Sequence, residues 1–347
     1  MALDSTVSDK LRDAEWLCHR YDPQYDAFHY IQVPRDVHRR VTFLTDEYLP
    51  KGPLPVVVRR EDAVAGAGQP VPLHFIFHSA FCLSTLLARA FDYPGYAMGL
   101  KEPVVLNDLV GWRLRGGDPA AIGEVLNDTL AIMARPFADG EAVIVKPSNL
   151  LNGLAGAMMR LRPDAQALFM YAPLDTFLKS VAKKGMWGRV WIRDLYVKQL
   201  KEGLIDLGFE QDQYLALTDL QVAAACWLTQ HALFAKLIGA FGKNRIRPID
   251  SEQLLANPHH SLTAIASHFR LPLTVDRIEG IANGSAFTSH SKLGGAFSAD
   301  ARQAEYDEAM QLHGEEIEKV SAWAKAVAEN AGVSFVLPGS IQSPVDG

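Results

Sequence analysis

The chain has 347 residues, 48% of them hydrophobic and 21% charged, with a formal net charge of −6. Such a composition describes a globular protein with a substantial core, large enough for one big domain or two. The acidic balance excludes a protein that works by covering nucleic acid with basic side chains.

Three cysteines, Cys18, Cys82 and Cys226, stand far apart with no C-x-x-C spacing. A reducing compartment is expected, without structural zinc or a disulfide framework. The first ten residues lack the apolar stretch of a leader peptide, and no run of about 18 uncharged apolar residues occurs. The expectation is a cytoplasmic protein with no membrane span.

Residues 1–70 read as an N-terminal extension or cap. A polar start is followed by an aromatic-rich stretch from Trp16 to Tyr30, then by Val41–Thr45 and Pro55–Arg59 as short strand candidates. His19, His29 and His38 are too scattered to suggest a metal site. Ala63 to Pro72, rich in Gly, Ala and Pro, reads as a connection, which places an α/β domain over residues 71–335 and a tail over 336–347.

Residues 73–91 are the focal stretch. Leu73–Phe77 run apolar like a buried strand, His78–Ser84 form a short loop of small and polar residues, and Thr85–Phe91 carry leucines and alanines at helical spacing. A strand–loop–helix of this kind aims backbone N–H groups at the loop, where an anion, most often a phosphate, is the natural occupant. The Walker pattern for this geometry ends in Gly-Lys-Ser/Thr, whereas here Cys82 and Leu83 precede Ser84 and Thr85. The loop is therefore not that of an ordinary nucleotide triphosphatase. The Ser84 and Thr85 hydroxyls can donate to phosphate or sulfate oxygens without a metal, although Ser84 serves equally well as a helix cap. Cys82 reads either as a thiolate stabilised near the helix start or as a small filler.

Beyond this stretch, short apolar segments alternate with helical ones. Strands are expected at Tyr96–Leu100, Ala142–Val145, Ala167–Tyr171 and Arg245–Ile249. Helices are expected at Pro119–Ala134, Leu150–Leu161, Thr176–Lys183, Thr218–Phe241, Ser251–Ala256 and Ser261–Phe269. The rhythm predicts an α/β fold, a three-layer parallel sheet with helices on both faces. Trp227, in the broadly apolar Thr218–Phe241 helix, is expected in the core.

Ligands of such sheets bind outside the carboxyl ends of the strands. There stand Lys101 and Glu102, Lys146 with Ser148 and Asn149, Asp175 with Ser180, and Asp250 with Glu252. Carboxylates, a lysine and hydroxyls beside an anion cradle suit group transfer from a phosphorylated donor. In that chemistry His78 is a second candidate base beside Glu102, because an imidazole titrates near neutrality. Residues 185–215 are aromatic-rich without a clear strand, and either line an acceptor pocket or pack internally.

Over about residues 73–300 the order of these motifs resembles the sulfotransferase family, P-loop-related enzymes that take a sulfuryl group from 3′-phosphoadenylyl sulfate. Ser84 and Thr85 match the threonine pair of the family's Lys/Arg-Ser-Gly-Thr-Thr loop, with Phe81, Cys82 and Leu83 replacing the rest. Glu102 falls where the tyrosylprotein and bacterial members have a catalytic glutamate, and Lys146 looks like the lysine ending the next strand. Ser180 corresponds to the serine on the donor's 3′-phosphate, while Ala172 stands where the family has arginine. Trp227 in its helix, residues 247–258, and Ser289-His290-Ser291-Lys292 resemble the Trp-containing helix, the Glu-x-Leu…Pro segment and a late donor-binding loop.

The candidate catalytic residues are Glu102 and Lys146, which the resemblance implies, with His78 as the alternative base; the candidate donor-binding residues are Ser84, Thr85, Ser180 and Lys292, from the resemblance, with Ser79 and Cys82 from the loop itself. Lys183, Lys184, Arg189 and Lys292 are candidates to replace the missing positive charge. The implied cofactor is 3′-phosphoadenylyl sulfate, leaving as adenosine 3′,5′-diphosphate, with no metal. The implied acceptor is a hydroxyl of a small molecule, sugar or lipid rather than nucleic acid, and a homodimer is among the assemblies known in the family. Two alternatives stand beside it: a kinase-like phosphotransferase using a nucleotide triphosphate, and a non-catalytic binding protein on the same fold.

Overall fold

The computed structural model describes residues 5–210, 212–288 and 299–341. The chain opens with three antiparallel strands, β1 (Trp16–Asp22), β2 (Ala27–Gln32) and β3 (Val56–Arg59), paired in that order. The aromatic-rich stretch is thus a hairpin, and its inward residues Phe28 and Tyr30 are fully buried. Val41–Thr45, expected as a strand, forms none. Leu44 instead makes two isolated bonds, its N–H to the Lys101 carbonyl (2.7 Å) and its carbonyl to the Val104 N–H (3.2 Å). A chain tied at one residue is anchored without the ladder that a strand requires.

Five parallel strands follow: β4 (Leu73–His78), β5 (Ala97–Lys101), β6 (Ala142–Lys146), β7 (Ala167–Tyr171) and β8 (Ile246–Asp250), in the order β5-β6-β4-β7-β8. Every residue of β4, β5 and β6 is buried, which is why their sequences run apolar instead of alternating. The two faces separate cleanly. Leu73, Phe75, Phe77, Val143, Val145 and Phe169 join one core with the N-terminal hairpin, while Ile76, Ile144, Leu168 and Met170 join the other. Helices cover both faces, so the architecture is a three-layer α/β sheet. The N-terminal strands share the first core with Phe75 and Phe77.

The Asp219–Phe241 helix starts at a capping box between Thr218 and Gln221, two orphan donors satisfied reciprocally. Its Trp227 is 2% exposed and donates from Nε1 to the Ala172 carbonyl at 2.9 Å. Among the described residues this is the one helix long and apolar enough to cross a membrane, and 78% of its most apolar window is buried inside the fold. One other segment differs from expectation, and one takes a form the sequence left open. Leu150–Leu161 is a 3₁₀ turn (Asn149–Leu154) leading into a short α-helix (Ala155–Leu161), and residues 185–201 of the aromatic-rich segment form a single helix, Gly185–Lys201.

Candidate functional site

The carboxyl end of β4 runs into a loop of unusual backbone. Ala80, Phe81 and Leu83 have φ of +75°, +51° and +65°, and none is glycine. A left-handed L-residue costs roughly 1–2 kcal/mol, so three close together persist only because their surroundings over-determine them. Those surroundings are visible. The Ser79 N–H donates to the Met170 carbonyl at 3.0 Å, and Cys82 Sγ donates to the same oxygen at 3.3 Å. Asn152 Nδ2 donates to the His78 carbonyl (3.1 Å) and to Gln230 Oε1 (3.0 Å), while Gln230 Nε2 reaches the Ser79 carbonyl (3.4 Å). Asn152 and Gln230 are both buried. Together they engage the carbonyls of residues 78 and 79 and fix the start of the loop.

The N–H groups of Phe81, Leu83, Ser84 and Thr85 bond to no group of the described chain. The buried Thr85 Oγ1 likewise has no partner. Leu83 takes the cap position of the Ser84–Ala90 helix and no side chain caps it, so Ser84 is the first helical residue and not the cap. Unbonded N–H groups clustered on a left-handed turn are an arrangement that takes an anion.

Beside the loop, three titratable side chains meet at the ends of three adjacent strands. Strands β5 and β6 pair with Lys101 opposite Lys146, and the Glu102 N–H donates to the Lys146 carbonyl at 2.7 Å. Glu102 has φ +51°, a turn that carries its carboxylate back over β6. There Oε1 accepts a short charge-assisted bond from Lys146 Nζ. His78 Nε2 lies 3.9 Å from the same oxygen. The Ala80 N–H donates to His78 Nδ1 (3.1 Å), which leaves Nε2 to carry the proton of a neutral ring and donate to the Pro147 carbonyl (3.1 Å). His78 therefore couples the loop's backbone to the ion pair. Lys146 is 1% exposed, with Phe43 5.1 Å from Nζ to the ring centroid, whereas the Glu102 side chain remains 17% exposed. The carboxylate is the accessible member of the pair.

The remaining sequence-read positions divide. Ser79 lies in the loop wall with its hydroxyl donating to the Ala80 carbonyl (3.4 Å), and Cys82 is buried as described. Ser180 is buried, donating to the Thr176 carbonyl (2.8 Å) and meeting the Tyr306 hydroxyl at 3.2 Å. Ala172 leaves its carbonyl to Trp227. Asp250 caps the helix after β8, accepting from the Glu252 N–H at 2.7 Å, and Glu252 holds Arg302 in a fork of 2.9 and 2.6 Å. Asp175 accepts from Ser321 Oγ at 2.6 Å. Ser148 caps the Asn149–Leu154 turn, and Asn149 Nδ2 is buried without a partner. Lys101 donates to the His38 and Arg39 carbonyls at 2.8 and 2.9 Å, and burial pulls its pKa down to about 8. Lys292 and its neighbours 289–291 lie outside the described residues. Among the described residues, no group of three or more His, Cys, Asp and Glu side chains is placed to hold a metal ion.

Sequence reasoning missed Asn152, Gln230, Phe43 and Tyr306. Asn152 and Gln230 carried a faint signal, each being an amide inside a largely apolar helical segment.

No family model and no curated protein matches the sequence. Solved structures similar to it number ten chains, among them the following three. The sulfotransferase domain of the Synechococcus PCC 7002 olefin synthase is 15% identical, with 73% of this chain and 95% of that one covered at a TM-score of 0.39. The sulfotransferase domain of the curacin biosynthetic pathway is 12% identical, with 76% and 98% covered at 0.43. Sulfotransferase STF9 from Mycobacterium avium is 13% identical, with 72% and 78% covered at 0.41. All three bear the family name that the motif order suggests. At these scores the chemistry rests on the residues of this chain.

Proposed function

We propose that this chain is a sulfotransferase-like enzyme that moves a sulfuryl group from 3′-phosphoadenylyl sulfate to a hydroxyl of a small-molecule, sugar or lipid acceptor. The observation that carries the reading is the cluster of Glu102, Lys146 and His78 at the ends of β5, β6 and β4, set beside a loop with unbonded N–H donors. Sulfuryl transfer needs a base for the acceptor proton, charge on the transferring group and an in-line approach. Glu102 is the accessible base. It takes the acceptor's proton as the hydroxyl oxygen attacks sulfur, and the bridging oxygen leaves on adenosine 3′,5′-diphosphate. Lys146, held by Glu102 in the resting state, is freed for the bridging oxygen as the carboxylate is protonated. The N–H groups of Phe81, Leu83, Ser84 and Thr85 and the Thr85 hydroxyl hold the donor's phosphosulfate, with no metal required.

Thermal melting with adenosine 3′,5′-diphosphate, with the sulfated donor, and with ATP and magnesium tests the donor. A ligand at about 100 times its Kd adds about 2.7 kcal/mol to stability, a shift of several degrees for a chain of this size. The reading expects stabilisation by the 3′-phosphorylated pair alone. A shift with ATP and magnesium alone would replace it with kinase-like chemistry, and no shift with any of the three would leave a fold without this donor.

A further inference from the structure

The loop from Ser79 to Leu83 contains no basic residue. An anion on its N–H groups meets dipoles but no full positive charge from the loop itself. The buried lysines of the strand ends are engaged, Lys146 with Glu102 and Lys101 with two main-chain carbonyls. On the helix corner that faces the loop, Lys183 pairs with Glu305, and Arg189 with Asp219 (3.5 Å) and Glu316 (3.4 Å).

Lys184 differs from these neighbours. Its Nζ stands 5.7 Å from the centroid of the Phe81 ring, which belongs to the loop, and 5.2 Å from that of Trp187. No carboxylate of the described residues lies within 4.0 Å of it. Phe81 is itself held in place by Phe177 at 5.7 Å and Trp191 at 5.2 Å, so the ammonium rests against a fixed wall of the loop. An exposed lysine at a helix corner ordinarily points to water. This one lies over aromatic rings beside the Lys183 charge, and desolvation of its ammonium together with that charge lowers its pKa below the usual lysine value, against a smaller opposing pull from Glu305. Its flexible four-carbon stem lets the charge move toward a partner.

Resting on the donor reading above, we infer that Lys184 supplies the positive charge for the anion held by the N–H groups of Phe81, Leu83, Ser84 and Thr85, from the neighbouring helix corner and not from the loop. The resting cation–π contact parks the ammonium until the anion arrives. Lys183, committed to Glu305, does not share this role.

Calorimetric titration of the full chain with adenosine 3′,5′-diphosphate tests the inference, using wild type, Lys184→Met, Lys184→Arg and Lys183→Met. Loss of a charge-assisted contact weakens binding by about tenfold or more in Lys184→Met, while Lys184→Arg and Lys183→Met stay within about threefold of wild type. The salt dependence of binding flattens in Lys184→Met alone, because one cation has left the site. Melting temperatures confirm that each variant folds, as expected for an exposed side chain. Equal affinities of wild type and Lys184→Met would overturn the inference and leave the donor reading standing. So would an equal loss in Lys183→Met, which would make the charge effect diffuse. If wild type fails to bind the diphosphate, the donor reading falls and this inference with it.

Discussion

Lys101 and Lys146 are register partners at the ends of β5 and β6, and both are buried, at 0% and 1% exposure. In sequence they are alike, each the last residue of an apolar strand. In the fold they diverge completely. Lys101 is consumed by two main-chain carbonyls of the Arg35–Arg40 segment, with which it ties the N-terminal layer to the sheet. Lys146 meets a side-chain carboxylate that is partly open to solvent and faces His78. The difference lies in the partner: carbonyls make a buried lysine a brace, whereas an accessible carboxylate leaves Lys146 in an ion pair that opens to solvent, the pair to which the proposed function assigns the acceptor's proton.

The sharpest way to break that contrast is to remove each lysine and its neighbour in turn. Glu102→Gln keeps the shape and deletes the base, and transfer falls by about 10²- to 10⁴-fold in a single-turnover assay, with the fold retained. Lys146→Met lowers the same rate by at least about 100-fold, because the leaving oxygen loses its cation and Glu102 loses its partner. Lys101→Met leaves the chemical step within about threefold of wild type. An equal rate loss in Lys101→Met would erase the distinction.

A second contrast concerns stability. Gln230→Leu removes the amide that holds the Ser79 carbonyl and Asn152, leaving buried polar groups unpaired, and urea unfolding shows a loss of about 1–3 kcal/mol. Lys101 adds a pH signature. Its folded pKa, about 8, lies below the ordinary lysine value, so above pH 8 the unfolded chain holds a proton that the folded chain has lost. Its penalty is complete below pH 8 and is relieved as pH climbs toward about 10.4, so the stability of wild type relative to Lys101→Met rises over that window. Urea midpoints for the two proteins at pH 7.5 and 9.5 check the sign. The smallest effect is at Ala80: with φ +75°, Ala80→Gly is neutral or stabilising by up to about 1 kcal/mol, whereas a valine there is markedly destabilising.

Much of this was legible in the sequence. The apolar runs of β4 to β8 follow from periodicity, as do the helices Pro119–Met133, Leu174–Ala182 and Asp219–Phe241, whereas Val104–Leu114 did not stand out, and Glu102, Lys146 and His78 do lie at strand ends. What was not legible is backbone shape and long-range pairing. Ala80, Phe81 and Leu83 carry no glycine to announce a left-handed turn, and its cause lies in Met170, Asn152 and Gln230, which are remote in sequence. Val41–Thr45 has the composition of a strand, but the single tie at Leu44 serves in place of a ladder. The aromatic density of residues 185–201 masked a helix whose Trp191 packs against Phe81.

The most direct test of the account is the Glu102→Gln variant, assayed twice on the same preparation. One assay measures affinity for adenosine 3′,5′-diphosphate, and the other measures transfer of labelled sulfate from 3′-phosphoadenylyl sulfate onto a panel of hydroxylated small molecules, sugars and lipids. The account predicts diphosphate binding within about threefold of wild type and transfer reduced by at least about 100-fold. Transfer at the wild-type rate by Glu102→Gln would contradict it.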